Sequence, residues 1–314
     1  MFDKKNKQRN MKFIIARNSE ELGTYNRDEV LFVDGYLEGY NFYDHHITGE
    51  KINLDAIPPL LKVLPKVVAT NQIDTDSICS AVVVFFGGEN NISEYYRGIL
   101  RTASTYCDYL ISNENFDEKT NNKGLGLHFY MKKKGFNMLK RFDPVTSKER
   151  SIVFTKLSRE VIEHIEKGKE LPNDTSYLDR LNFHIKMAKE SIIHNDRLVT
   201  VISSYDFIDP IASYKVVDTP LLVLQSYISN DLYKYSIGVN PIYYDRYNIT
   251  NLLTYINKHY EEGWGGRSVA GGSPYSGSSI ELKRLIKLIH KVEPLLLLNK
   301  VKKSVTKSRT KLDF

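Results

Sequence analysis

Two short stretches of the sequence concentrate carboxylate and imidazole side chains. One is NFYDHHITGE at residues 41–50, and the other is ATNQIDTDSIC at residues 69–79. Carboxylate oxygens and imidazole nitrogens are ligands that hold divalent ions such as Mn²⁺ in proteins. Together with one aspartate upstream, the candidate metal-site residues are Asp34, Asp44, His45, His46, Asp74 and Asp76. Two ions held side by side recur in enzymes that transfer phosphoryl groups.

Each cluster alone has a simpler explanation. A single Asp-x-Asp is commonly a turn or a helix cap, and adjacent histidines can be a surface coincidence. The neighbouring elements favour a metal site, because the apolar runs KFIIAR, EVLFVD and KVVAT predict buried strands at 12–17, 29–34 and 66–70. The run SICSAVVVFFGG predicts a helix with Ser77 as its N-cap and Gly87-Gly88 as its end.

Strands that alternate with helices indicate a mostly parallel sheet, whose ligands gather beyond the carboxyl ends of the strands. The candidate residues follow such strand ends, with the Asp-His-His triplet expected in a loop, so they should meet at one edge of the sheet. The expected fold class is α/β. It comprises a mostly parallel sheet flanked by helices in an N-terminal catalytic domain, and a smaller α/β substrate-binding domain at the C-terminal side.

Strand patterns return after residue 198 in RLVTVISS, LLVLQSY and LYKYSIGVN. A glycine-rich stretch and an amphipathic helix follow them. The expected organisation is a basic, disordered tail at 1–11, a metal-binding catalytic domain at 12–111, a loop and helical connecting segment at 112–197, a glycine-motif domain at 198–298 and a second basic tail at 299–314.

The net charge of +6 comes from the two ends of the chain, whereas the body between them is slightly acidic. Basic tails can hold a phosphate backbone, but they are more often solvated ends, so the charge does not decide the substrate. No apolar run reaches the length that crosses a bilayer, and the start does not resemble a secretory signal. With two cysteines, no disulfide framework is expected. A cytoplasmic protein with no membrane partner is therefore predicted.

At the candidate metal ligands the sequence resembles a known family. The triplet at 44–46, with Asp34 ten residues before it, resembles two motifs of the DHH superfamily of metal-dependent phosphoesterases. The run IDTDSICSAVVVFF at 73–86 resembles the first motif of that superfamily. Its residues are most similar to those of the manganese-dependent inorganic pyrophosphatases. In the family this motif comes first, whereas here it comes last. The chain therefore resembles a circular permutant of the catalytic domain. A domain whose termini lie close together tolerates such a permutation.

The resemblance implies two ions, Mn²⁺ or Mg²⁺, and a role for each ligand. Asp74 would bind the first ion, and Asp76 and His45 would bind the second. Asp34 would bridge the two ions.

Two catalytic groups and a further ligand complete the implied site. His46 would lie near the substrate phosphate, and Asp44 would orient the histidine pair, as carboxylates beside metal-bound histidines do. The fourth motif of the family supplies one more aspartate, for which Asp108 in TASTYCDYL is the candidate. One position departs from the family: many members carry a histidine where this chain has Thr70, and a hydroxyl is a poor manganese ligand.

The C-terminal half carries a second resemblance. GWGGRSVAGGS at 263–273 resembles the glycine-rich motif of the DHH-associated C-terminal domain, which positions substrate. Glycines let main-chain N–H groups approach an anion, and the arginine that replaces the usual histidine can hold a phosphate through two hydrogen bonds. The implied substrate-binding residues are Arg267, Gly265, Gly266, Gly271, Gly272 and Ser273. Arg101 in the first half is a further candidate, with a solvent-facing side chain as the alternative.

The expected function is hydrolysis of a nucleotide, a cyclic or linear dinucleotide or a short oligonucleotide by metal-activated water. A RecJ-like single-strand exonuclease, a manganese-dependent inorganic pyrophosphatase and a catalytically reduced nucleotide-binding regulator stay open as alternatives. The partner is a phosphate-containing small molecule or a short nucleic acid, because the slightly acidic body disfavours long single strands. A homodimer is an open option.

Overall fold

The computed structural model describes residues 10–50, 52–110, 115–142, 144–206, 208–229, 232–274 and 276–298. Nearly all of the two basic tails, predicted at 1–11 and 299–314, lies outside these residues. Residue 111 of the predicted catalytic domain and residues 112–114 of the predicted connecting segment lie outside them as well. The chain folds as two compact units, Met1–Arg180 and Leu181–Phe314.

The sheet of the first unit consists of parallel strands. They are β1 (Lys12–Ile15), β2 (Val30–Val33), β3 (Asn41–Tyr43) and β4 (Val67–Thr70), in the order β1-β4-β2-β3. Each neighbouring pair is parallel. Every residue of β2 and β4 is buried, as expected of parallel strands covered on both faces. The predicted α/β class with a parallel sheet is confirmed, whereas β3 was not predicted.

Helices surround this sheet. They are α1 (His45–Thr48), α2 (Asn53–Ala56), α3 (Thr75–Phe86), α4 (Glu94–Tyr109), α5 (Glu118–Leu139) and α6 (Ser147–Glu166). The next helix, α7 (Tyr177–Glu190), begins in the first unit and continues into the second, where Ala188 is part of an apolar cluster. One apolar core joins the sheet to α3, α4, α5 and α6 through side chains that include Phe13, Val83, Leu100, Leu127 and Phe154. Helices α5 and α6 therefore pack within the first compact unit.

Helix α6 also contacts the outer edge of β1. The main-chain N–H of Ile15 donates to Ser151 Oγ at 2.8 Å. Thr155 Oγ1 donates to the carbonyl of Phe13 at 3.0 Å, and the Arg159 guanidinium donates to the carbonyl of Met11. Since Ser151, Thr155 and Arg159 are four residues apart, they lie on one face of α6. The strand edge that faces away from β4 is thus hydrogen-bonded to a helix.

The start of α3 differs from the sequence prediction. Asp74, not Ser77, is the N-cap: its backbone is extended, and its Oδ1 accepts a hydrogen bond from the N–H of Ser77 at 2.8 Å. The helix therefore begins earlier than predicted, because a carboxylate at Asp74 satisfies an N–H of the first turn. The predicted end is confirmed, since Gly87 adopts the left-handed conformation with φ 78°.

The second unit contains a mixed sheet. Its strands are β5 (Ile192–Asn195), β6 (Val199–Ser203), β7 (Leu221–Ser229), β8 (Leu232–Val239), β9 (Gly265–Gly266) and β10 (Ala270–Gly272), in the order β5-β6-β7-β8-β10-β9. Strands β6 and β7 are parallel, and the other neighbouring pairs are antiparallel. The helices are α8 (Pro210–Tyr214), α9 (Thr250–His259) and α10 (Leu282–Leu296). Helices α9 and α10 share an apolar core with the sheet through Tyr235, Leu252, Ile256, Leu285 and Ile289.

Among the helices of the described residues, none combines the length and the apolar character needed to cross a membrane.

Candidate metal centre

The carboxyl ends of three neighbouring strands carry the acidic candidates of the first unit. Asp34 directly follows β2, Asp44 directly follows β3, and Asp74 and Asp76 follow β4 at the start of α3. Strand β2 lies between β4 and β3 in the sheet. The parallel arrangement therefore brings these residues to one edge, whatever their order along the chain.

Asp34, His45 and Asp76 form a buried group. One potential ligand atom from each lies within 4.8 Å of the others. His45 Nε2 is 3.8 Å from Asp34 Oδ1 and 3.6 Å from Asp76 Oδ2. The exposed fractions of Asp34, His45 and Asp76 are 5%, 3% and 0%. Three ligands of two types, carboxylate and imidazole, thus meet in one buried place that suits Mn²⁺ or Mg²⁺.

Asp108 joins this group from α4. Its Oδ2 lies 3.1 Å from His45 Nε2, and its side chain is 13% exposed. Ser104, one helical turn earlier, donates a hydrogen bond from Oγ to Asp76 Oδ1. The structure therefore brings the predicted fourth aspartate together with Asp76 and His45. The sequence reasoning missed Ser104, although its spacing of four residues from Asp108 places both on one face of α4.

The charges of this group suit a cation. The pKa values of Asp34 and Asp76 are raised well above their usual range, first by burial and then by neighbouring carboxylates, chiefly Asp74 for Asp34 and Asp108 for Asp76. Asp76 Oδ2 is buried and accepts no hydrogen bond from the described residues. Since buried carboxylates are stable only when paired or bound to a metal, the residues present fit a divalent ion.

Residues outside the group hold its backbone in place. Thr70 is fully buried at the end of β4, and its Oγ1 donates to the main-chain carbonyl of Asp34 at 3.1 Å. Asp34 has a positive φ of 45°, a conformation that few residues other than glycine, asparagine and aspartate adopt. On the other side, Thr75 Oγ1 is hydrogen-bonded to His128 Nδ1 of α5 at 3.0 Å. No sequence pattern indicated this role of His128, because it lies far from Thr75 along the chain.

Asp74 and Asp44 have structural contacts as well. Besides capping α3, Asp74 accepts a hydrogen bond at Oδ2 from Gln72 Nε2 at 3.0 Å. Asp44 is buried, and its main-chain carbonyl accepts from the N–H groups of Ile47 and Thr48 at the start of α1.

The triplet at 44–46 was predicted in a loop, and this is wrong: it spans the junction between β3 and α1, because the short α1 begins at His45. The side chain of His46 lies outside the described part of the structure.

Arg101, a candidate phosphate ligand, is engaged in two ion pairs. Its Nη1 donates to Asp55 Oδ1 at 2.5 Å, and its Nη2 donates to Glu89 Oε2 at 2.7 Å. The guanidinium thereby links α4 to α2 and to the segment after α3. Its role in substrate binding stays a prediction.

The glycine-rich motif of the second unit forms the hairpin of β9 and β10. A Cβ on Gly266 would lie 2.3 Å from Gly271 Cα, and a Cβ on Gly272 would lie 2.3 Å from the carbonyl oxygen of Tyr235. These glycines therefore permit close packing of main chains. Gly265, by contrast, has open space where a Cβ would be.

The two polar candidates of this motif differ in exposure. Arg267 is exposed at the hairpin turn, and its N–H donates to the carbonyl of Ala270 at 2.6 Å. Ser273 is buried, and its Oγ accepts from the N–H of Tyr235 at 3.0 Å. The substrate-binding roles of these residues stay predictions.

No protein-family model and no curated protein matches the chain. Among solved structures, the pGpG-specific phosphodiesterase PggH from Vibrio cholerae is similar over 88% of this chain and 87% of its own, with 13% sequence identity and a TM-score of 0.46. At this level the similarity does not assign an activity, and the proposals below depend on the geometry of the site.

Proposed function

We propose that this protein is a metal-dependent phosphoesterase that hydrolyses a nucleotide, a cyclic or linear dinucleotide or a short oligonucleotide. The observation that carries the proposal is the buried group of Asp34, His45 and Asp76, with Asp108 beside His45, at the carboxyl edge of a parallel sheet. Ligands of α/β sheets bind at this edge.

Asp34, His45, Asp76 and Asp108 would hold the metal, with Asp74 as the further ligand of a second ion. When bound, Mn²⁺ or Mg²⁺ would lower the pKa of a water molecule and stabilise charge on phosphate oxygens. We assign Asp34 as the shared ligand, because it follows β2, the strand between those that precede Asp44 and Asp74.

Side chains other than the metal ligands would orient the ligands and bind the substrate phosphate. Ser104, which donates to Asp76 Oδ1, would keep the other oxygen of that carboxylate directed at the metal. Asp44 and His46 keep the orienting and phosphate-facing roles that their family resemblance implies. In the second unit, the exposed guanidinium of Arg267 has the donor geometry for a phosphate.

Phosphate or nucleotide release from a substrate panel in Mn²⁺ tests the proposal. The panel comprises pyrophosphate, a linear dinucleotide such as pGpG, a cyclic dinucleotide, 3′-phosphoadenosine 5′-phosphate and single-stranded DNA. Wild type is compared with Asp76→Asn, His45→Ala and the exposed control Asp179→Asn. We expect turnover of at least one nucleotide substrate, a loss of at least 100-fold in both site variants and none in the control. Equal turnover by wild type and Asp76→Asn would refute the proposal.

A nucleotide-binding regulator without turnover is the second candidate. The observation that favours it is Thr70, which stands where many DHH phosphoesterases carry a histidine. Its hydroxyl donates a hydrogen bond to the main-chain carbonyl of Asp34. The same experiment distinguishes the two. A regulator would bind Mn²⁺ and nucleotide in calorimetry and release no product from any member of the panel.

A further inference from the structure

A basic groove lies in the first unit, among residues that the proposed metal centre does not use. Residues of α5, α6 and the segment 173–175 line it, and its volume is about 620 Å³. Its charged lining residues are Lys133, Lys134, Arg141, Lys156 and Asp174. Four cations therefore face one carboxylate.

The side chains that line the groove come from separate elements. Lys133, Lys134 and Asn137 follow the spacing of three and four residues that places side chains on one face of α5. Arg141 follows two residues after the end of α5, and Lys156 lies on α6. A groove of about 620 Å³ lined by these cations is larger than a single phosphate group requires and suits several phosphates in a row.

The carboxylates near the groove are already paired. Asp174 accepts a hydrogen bond from Arg180 Nη2 at 2.5 Å. Although burial acts in the opposite direction, Arg180 and Ser176 lower the pKa of Asp174 to about 2, so it stays ionised beside its arginine. Glu160, in turn, is paired with Lys134 at 2.6 Å.

Two cations of the groove have a different environment. Within the described residues, neither Arg141 nor Lys156 has a carboxylate within ion-pair distance. Lys133 is 3.7 Å from Asp174, which is shared with Arg180, and the Lys133 side chain is 59% exposed. Among the described residues, the groove therefore carries more positive than negative charge.

We propose that this groove binds the phosphates of a ligand that carries several of them in a row. Lysine and arginine side chains recognise phosphate through charge and hydrogen bonds. The phosphates are those of a nucleoside triphosphate or of consecutive nucleotides in a single strand, since the same chemistry recognises both. This site does not depend on the metal centre.

Fluorescence anisotropy in the presence of EDTA tests the groove without loading the metal centre. One probe is a fluorescent ATP analogue, and the other is a fluorescein-labelled oligothymidylate of eight nucleotides. The double variant Arg141→Glu/Lys156→Glu is compared with Lys62→Glu/Lys169→Glu, which makes the same charge change at exposed lysines outside the groove. A second variant, Asn137→Glu, adds a carboxylate to the groove at an exposed position and removes no existing ion pair.

We expect the groove variants to weaken the binding of at least one probe by 10-fold or more, and the control pair to weaken it by less than about threefold. For a single strand, the double variant should also reduce the salt slope by about 1.4, which corresponds to two lost phosphate contacts. Loss of the ATP analogue alone identifies a nucleotide site, and loss of the strand alone identifies a nucleic-acid site. Equal weakening in the control pair, or no binding of either probe at millimolar protein concentrations, would overturn the proposal.

Discussion

Asp34 and Asp76 place carboxylates in positions where a folded protein usually buries apolar side chains. Burial and neighbouring carboxylates raise the pKa values of both residues, so ionised groups here destabilise the metal-free fold. A bound divalent cation would offset that cost. The metal site should therefore be visible in stability measurements, independently of any substrate.

Asp76→Asn should separate stability from metal binding. The amide keeps an oxygen that can accept the hydrogen bond from Ser104 and removes one buried charge. We expect the Tm in EDTA to rise by about 2–4 °C, equivalent to about 1 kcal/mol. The Tm increase produced by Mn²⁺ in wild type should disappear in the variant. Differential scanning calorimetry with and without Mn²⁺ measures both effects. An unchanged response to Mn²⁺ would count against Asp76 as a ligand.

Thr70→Val should weaken the backbone support of Asp34. The variant keeps the shape of the side chain but loses the hydrogen bond to the Asp34 carbonyl, and Asp34 has a positive φ. We expect a loss of about 1 kcal/mol in the free energy of unfolding, together with weaker Mn²⁺ binding. Urea denaturation and calorimetric titration measure the two quantities. Thr70→Ser, which retains the hydroxyl, should behave like wild type.

Among the elements, helix α5 depends on close packing against α4. A Cβ on Gly124 would lie 2.4 Å from Thr102 Cβ and 3.0 Å from the main-chain nitrogen of Ala103. Gly135 lies in the same helix, but a Cβ there would make an ordinary contact of 3.5 Å with Leu157 Cδ1. The two glycines are therefore present for different reasons.

Gly124→Ala and Gly135→Ala should change stability in opposite directions. Overpacking against α4 should make Gly124→Ala destabilising by about 1–3 kcal/mol, despite the better helix propensity of alanine. Gly135→Ala should be stabilising by about 0.5–1 kcal/mol, because only the propensity term acts. Urea denaturation of the two variants in parallel checks this. Equal effects would mean that α4 and α5 are not in such close contact.

His128 couples the packing of α5 on α3 to pH. Burial, with a smaller effect from Lys132, lowers the pKa of His128 to about 3. Between pH 6.5 and 3 the unfolded chain binds a proton at this residue that the folded protein does not, so stability falls as the pH falls. From pH 6.5 to 5 the loss is about 2 kcal/mol, at about 1.4 kcal/mol per pH unit.

His128→Asn should remove this part of the pH dependence. Denaturant unfolding at pH 7 and pH 5 measures it as the difference between wild type and variant. His259→Asn, at an exposed position of α9, is the control and should retain the pH dependence of wild type. A His128→Asn variant with an unchanged pH dependence would show that His128 binds its proton equally well in the folded and the unfolded protein.

Elements with a strong local pattern could be predicted from the sequence, and those determined by distant contacts could not. Strands β1, β2 and β4 are apolar, β-branched runs and were predicted correctly. Strand β3 has only partly buried or exposed residues and no apolar run, so its pattern does not indicate a strand. The N-cap at Asp74 was missed because serine and aspartate are equally good caps.

The same distinction applies to the candidate site. The grouping of Asp34, His45 and Asp76 followed from the rule that parallel strands present their carboxyl ends at one edge. Asp108, on α4, could be suggested only through the family resemblance, because its contact with His45 depends on how α4 packs. The pairing of Arg101 with Asp55 and Glu89 depends on three separate elements, which no local pattern specifies.

For the whole molecule, the order of motifs along the chain matters less than the order of strands in the sheet. Strand β4, which comes last in the sequence among the strands of the first unit, lies between β1 and β2. Asp74 and Asp76 consequently reach the same edge as Asp34. A permuted order of motifs is therefore compatible with a single site, and the permutation itself stays a prediction.

The hydrogen bonds between α6 and β1 should also reduce the tendency of the protein to aggregate. An edge strand with free N–H and C=O groups is a template on which a strand of another molecule can pair. Ser151, Thr155 and Arg159 occupy those groups on the outer side of β1. Ser151→Ala/Thr155→Val should therefore self-associate as its concentration rises, which light scattering measures, while Lys156→Ala on the same helix should not. Helix α6 would then keep the protein monomeric at this edge, in addition to completing the core.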